Sequence, residues 1–267
     1  MNIKILLGSV ALVGACALGQ TALAQFGPPA PSGPPPPAEQ AAPIDLTGYW
    51  ESVVTEDWRW RMLTAPKGDF ASVPLNPAGR KVAMQFDPTK YGSGWTDKID
   101  CRAYGAAGLM RMPTRVHITW ANPNQLQIES DWGEQTRELY FRHQDMPQAA
   151  PSLQGSSFAQ WQFPENVVRG FGRRAGPARK PPNGKLYVIT DHLTPGWLRR
   201  NGVPYGSHTQ LSEWFQTFTD PTGKHWFDVT TQVEDPEYLF APFITSSDFR
   251  QEPDGSKWAP RPCVQMD

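Results

Sequence analysis

Trp50-Glu-Ser-Val-Val-Thr-Glu-Asp-Trp-Arg-Trp-Arg-Met62 is the stretch from which the fold class is read. Its even positions are Trp50, Ser52, Val54, Glu56, Trp58, Trp60 and Met62, and its odd positions are Glu51, Val53, Thr55, Asp57, Arg59 and Arg61. A repeat of two with one aromatic face predicts a β-strand. The same rhythm recurs in Arg115–Trp120, Gln125–Ser130, Thr136–Arg142, Lys185–Leu193, His208–Phe218 and His225–Val233. Turn signals separate most of these: Asn122-Pro123-Asn124, Asp131-Trp132-Gly133, Asn201-Gly202 and Asp220-Pro221-Thr222-Gly223. Helical spacing is confined to a short segment, Pro77–Gln85. The chain therefore reads as all-β, an antiparallel meander that removes its sheet edges by closing into a barrel, with a β-sandwich as the alternative.

Gly48-Tyr49-Trp50 resembles the Gly-x-Trp that opens lipocalin-like barrels. Cys101-Arg-Ala-Tyr-Gly, Arg137-Glu-Leu-Tyr-Phe, Asn201-Gly-Val-Pro-Tyr-Gly-Ser, Glu213, Val233-Glu-Asp-Pro-Glu-Tyr and the closing Pro262-Cys263 form a wider set. That set is similar to a large group of uncharacterised secreted proteins of Gram-negative bacteria. The resemblance covers nearly all of the chain beyond its first segments and implies an exported β protein. It brings no activity with it.

Lys4, the apolar run Ile5–Leu18 and Ala22-Leu23-Ala24 read as a secretory signal peptide over residues 1–24, cleaved before Gln25. The rival reading is a lipoprotein signal, with Val13-Gly14-Ala15 before Cys16. The run is shorter than the ~20 residues that span a bilayer, so no integral membrane segment is expected in the mature protein. Phe26–Ile44 contains eight prolines and little to bury, which predicts a proline-rich linker over 25–44 and a single barrel domain over 45–267. Without Lys4 the chain carries 24 basic and 26 acidic residues, a formal charge of −2, and nothing marks a nucleic-acid partner. The one basic cluster, Arg169, Arg173, Arg174, Arg179 and Lys180, sits among glycines and prolines and reads as a solvated loop. Two cysteines remain after cleavage, Cys101 and Cys263, and in an oxidising periplasm they predict one disulfide. The five histidines show no ligand spacing, so no metal and no cofactor are assigned.

Charges on apolar strand faces mark candidate chemistry, because an unpaired buried charge costs several kcal/mol. Glu56 stands between Val54 and Trp58, Glu213 between Leu211 and Phe215, Arg137 with Leu139 and Phe141, and His192 with Leu186, Val188 and Thr190. With these faces inward, Glu213, His192 and Arg137 form a candidate catalytic set, and Glu56, Trp58 and Trp60 a candidate ligand-binding set, in one aromatic-lined cavity. The competing readings are a satisfied Glu213–Arg137 ion pair, an ordinary strand-end histidine, and Glu234-Asp235-Pro236 as a strand-ending turn in which Asp235 caps free amides. Eleven tryptophans exceed the needs of packing and suit a planar, apolar or sugar-like ligand. The leading functional expectation is a periplasmic barrel that binds a small apolar or aromatic molecule in an internal pocket. The alternatives are a cofactor-free isomerase, cyclase or lyase using carboxylate and histidine acid–base chemistry, and a cell-envelope interaction module carried on the proline linker.

Overall fold

Strands, most of them burying every second residue, are the main regular element of the computed structural model, which describes residues 34–87, 98–163 and 184–263. They are β1 (Gly48–Val53), β2 (Arg115–Asn122), β3 (Gln125–Ser130), β4 (Trp132–Gly133), β5 (Gln135–Tyr140), β6 (Ser156–Gln162) and β7 (Lys185–Asp191). After them come β8 (Gly196–Arg199), β9 (Val203–Tyr205), β10 (Gln210–Thr219), β11 (His225–Glu234), β12 (Phe243–Gln251) and β13 (Arg261–Pro262). The helices are short: α1 (Ala38–Ala41), α2 (Trp58–Arg61), α3 (Pro77–Gln85) and α4 (Ala106–Leu109). None of those described is long and apolar enough to cross a membrane. The signal-peptide and Cys16 readings and the basic loop 169–180 fall outside the described residues.

Nine strands close into a barrel in the order β1-β2-β3-β5-β6-β7-β10-β11-β12 and back to β1, which settles barrel over sandwich. Directions alternate around a closed ring only when the strand number is even. Nine strands therefore force one like-directed pair, and it falls between β5 and β6, with only Leu139↔Ser157 and Tyr140↔Phe158 in register. At this pair the expected antiparallel meander is corrected. Up-and-down lipocalin barrels have eight strands and avoid the problem.

The inward faces fall into layers. Trp50, Val116, Ile118, Leu126, Ile128, Leu139, Val188, Phe215, Phe227 and Phe249 fill most of the barrel, with Phe227 stacked on Phe249 at 4.6 Å and set edge-on to Trp50 at 4.9 Å. Leu211, Val233 and Phe243 belong to a second cluster shared with α3, α4, β8 and β9. Between the two clusters the inward positions turn polar: Ser130, Arg137, Ser157, Thr190, Glu213, Thr231 and Ser247 are all buried.

Two expected boundaries move. The strand read from Trp50 to Met62 ends at Val53; Asp57 adopts a left-handed conformation (φ 53°) and α2 follows. The compact unit begins at Pro36, ahead of the expected Asp45. Ala38 and Ala42 are buried, the Ala38 amide donates to Asn124 Oδ1 at 3.1 Å, and the Trp161 indole donates to the Ala38 carbonyl at 2.8 Å. The last residues of the expected linker thus lie against the end of the barrel.

The disulfide joins Cys101 to Cys263 across 162 residues of sequence. It ties the tail, where β13 pairs with β4, to the 3-10 turn Lys98–Tyr104. Asp235 caps as expected, its carboxylate accepting from the Gly206, Glu237 and Tyr238 amides at 2.8, 2.7 and 3.2 Å.

Candidate functional site

Of the charged residues expected to meet, only Arg137 and Glu213 do. Arg137 on β5 donates through Nη1 and Nη2 to the two carboxylate oxygens of Glu213 on β10, at 3.2 and 2.6 Å. Thr190 Oγ1 accepts from Arg137 Nη2 at 3.2 Å and lies 2.8 Å from Ser157 Oγ, while Thr231 Oγ1 donates to Glu213 at 3.5 Å. Both members of the pair are 0% exposed. Glu213 lies closed off from solvent, with its oxygens committed to arginine and threonine, so its place is that of an internal ion pair.

The cavity expected to join Glu56, Arg137, His192 and Glu213 does not form. Glu56 is exposed and accepts from Arg61 Nη1 at 2.6 Å. Trp58 faces solvent, and Trp60 packs between the guanidiniums of Arg59 and Arg199. The helical turn of α2 reverses the expected faces: Arg61, read as outward, is 2% exposed because its donors reach the Arg111 carbonyl, Glu56 and Ser52.

His192 lies elsewhere, in a cleft on the outer wall. Residues 141–155 carry the chain from β5 to its parallel neighbour β6, and on the way they are pinned beside the end of β7. The Ser152 amide donates to the His192 carbonyl at 3.1 Å, and the Thr194 amide to the Ser152 carbonyl at 2.9 Å. His192 takes a left-handed backbone (φ 55°), which turns it off the inward face that its spacing from Val188 and Thr190 implied. Gly155 is required at this crossing, since its φ is +61° and a Cβ would lie 2.2 Å from the Asp191 carbonyl oxygen.

The cleft has a volume of about 740 Å³, within the range of small-molecule sites. Met146, Phe158 and Ile189 supply apolar surface, and His143 stacks on Phe158 with centroids 3.8 Å apart. Asp191 Oδ1 lies 2.6 Å from His192 Nδ1 on the rim, both side chains being open to water. A second cavity of about 370 Å³ sits at the apolar end of the barrel, between residues 42–47 and Trp120, Leu126 and Trp161.

Sequence reasoning missed His143, Phe158 and Asp191. The segment Gly155–Ala159 is the approach to β6 and its first residues. Also missed were the buried arginines Arg61, Arg111, Arg199 and Arg200. The doublet Arg199-Arg200 before Asn201-Gly202 was a visible signal, since two charges enter a tight hairpin there. The sequence matches no protein-family model and no curated protein.

Proposed function

We propose that this is an exported periplasmic β-barrel protein that binds a small apolar or aromatic molecule in the lateral cleft over β6 and β7. The observation that carries this reading is the stacked His143–Phe158 pair, which offers a flat apolar surface beside the polar Asp191–His192 rim. A few polar groups at the edge of an apolar floor orient a ligand. The barrel interior is filled by Trp50, Phe215, Phe227 and Phe249 and by the Arg137–Glu213 pair, which moves binding from the inside to the wall. Glu213 lines neither cavity, so the isomerase, cyclase or lyase reading loses the carboxylate on which it rested.

The test uses N-phenyl-1-naphthylamine, a neutral dye whose fluorescence rises in apolar sites. Phe158→Ala removes a stacked ring and should weaken dye binding by roughly tenfold to a hundredfold, from about 1.5 to 3 kcal/mol of apolar contact. Trp120→Ala, at the barrel end, should leave it unchanged. Binding lost in Trp120→Ala and kept in Phe158→Ala would overturn the assignment in favour of the barrel end; no saturable binding would remove both. Export is tested separately by the intact mass of periplasmic protein, expected to begin at Gln25; a lipid-modified Cys16 would refute that start.

A further inference from the structure

Besides Arg137 in the barrel interior, four guanidiniums are buried outside the cleft among the described residues: Arg61, Arg111, Arg199 and Arg200 are 2%, 7%, 4% and 8% exposed. Each buried cation calls for a counter-charge. Two have one, Arg61 with Glu56 at 2.6 Å and Arg111 with Asp57 at 3.3 Å, while Arg59 pairs with Asp69 nearer the surface. Arg199 and Arg200 form no ion pair among the described residues. Arg199 Nη1 donates to the Ala71 carbonyl at 2.7 Å, and Arg200 Nη2 to the Arg61 carbonyl at 2.8 Å.

The donors left over are specific. Arg199 Nε and Nη2 are shut off from water without a hydrogen-bond partner. Together they form the side-on edge of a guanidinium, whose two parallel N–H bonds match the paired oxygens of a carboxylate or phosphate. The faces of the group are already taken. Its Cζ lies 4.7 Å from the Trp60 ring centroid and 5.8 Å from that of Phe243, so aromatic contact fixes the plane and leaves the edge for an in-plane partner. Arg111 lies over the same Phe243 ring at 5.3 Å and adds positive charge. Burial, then the charge of Arg111, holds the Arg199 guanidinium down at about 10, against the opposing pull of Asp57 and Asp69.

We propose that the unpartnered edge of Arg199, held between Trp60 and Phe243 beside Arg111, is a binding site for the oxyanion group, carboxylate or phosphate, of a small molecule. Arg199 belongs to β8 and lines neither described cavity, so this site stands apart from the lateral cleft. The single turn α2 contributes Trp60 to this site and carries Trp58 on its solvent side. Recognition rests on a planar fork, so charge alone will not reproduce it.

The experiment titrates the mature protein with sodium benzoate and, separately, inorganic phosphate at constant ionic strength set with chloride. Tryptophan fluorescence and the ¹⁵N–¹H resonance of Arg199 Nε are followed. A saturable shift of that resonance is expected with at least one anion, and the arm that responds identifies carboxylate or phosphate. Arg199→Lys keeps the charge and loses the fork, and should weaken binding about tenfold or more. Lys224→Gln, in the exposed turn between β10 and β11, should change it less than about twofold, as a surface charge does. No saturable shift with either anion, or equal affinity in Arg199→Lys, overturns the proposal. If Arg199→Lys does not fold, the wild-type Nε titration decides alone. N-phenyl-1-naphthylamine binding is expected to be unaffected by Arg199→Lys, which separates this site from the cleft.

Discussion

Glu213→Gln tests the interior of the barrel with almost no change of shape. The carboxylate meets Arg137 through two bonds of 2.6 and 3.2 Å, and neither residue has exposed surface. Glutamine keeps one acceptor but turns an amide group toward the guanidinium, leaving the charge of Arg137 with Thr190 Oγ1 as its remaining side-chain acceptor. Removing one partner of a buried pair costs about 3–5 kcal/mol. For a domain of this size each kcal/mol lowers Tm by about 2–4 °C, so the expected drop is roughly 6–20 °C. Arg137→Met combined with Glu213→Leu removes both charges and their desolvation together, and should be more stable than either single variant. Urea denaturation and calorimetry of the mature, oxidised protein measure wild type, Arg137→Met, Glu213→Leu and the double variant as a double-mutant cycle, with Glu213→Gln measured beside them. A Glu213→Gln variant within about 1 kcal/mol of wild type would show that Arg137 is compensated without the carboxylate, and would refute the reasoning.

Cys263→Ser should lower stability by about 2–4 kcal/mol, since the bond closes a very long loop in the unfolded chain. Unfolded, unreduced mature protein should titrate with no free thiol, and two reactive thiols per chain would contradict the bond. Asp220 at the β10–β11 turn is held below the usual carboxylate range by the Thr222 hydroxyl and then the Trp226 indole, with the Lys224 and Thr222 amides adding to this against some burial. A depressed carboxylate contributes stability that is present above its unfolded value of about 3.9 and is lost as pH falls through the folded value. The stability gap between wild type and Asp220→Asn should therefore be widest near neutrality and close below about pH 4; a gap constant down to about pH 2 would exclude this role.

What the sequence displayed followed from how local each feature is. Gln125–Ser130 and Pro77–Gln85 match β3 and α3 end to end, because period two and an Asn76 cap followed by Pro77 are complete within a few residues. Glu213 and Arg137 were visible for the same reason, each interrupting an apolar face. Glu56 misled because Trp-Arg-Trp-Arg fits an alternating strand as well as one helical turn, and the left-handed Asp57 that decides between them leaves no trace in hydrophobicity. In β12 the run Thr245-Ser-Ser-Asp248 hides the period, since Ser247 faces the polar layer. The cleft was invisible because Phe158 meets His143 only after β6 has paired with a strand in the same direction, a contact that no local pattern encodes.

The odd strand number sets where this barrel is thinnest. β10 and β11 are zipped by ten registered pairs, whereas β5 and β6 hold each other by two. That joint is the natural place for the wall to breathe, with its amides exchanging ahead of the rest. The lateral cleft lies beside it, over β6 and β7: His143 and Met146 come from the segment that connects β5 to β6, Ser156 and Phe158 from β6, and Ile189 and Asp191 from β7. A molecule seated there touches all three and holds the connecting segment against β6 and β7. Occupancy and the docking of that segment are then coupled by mass action, so that filling the cleft favours the state in which the segment lies closed on the wall.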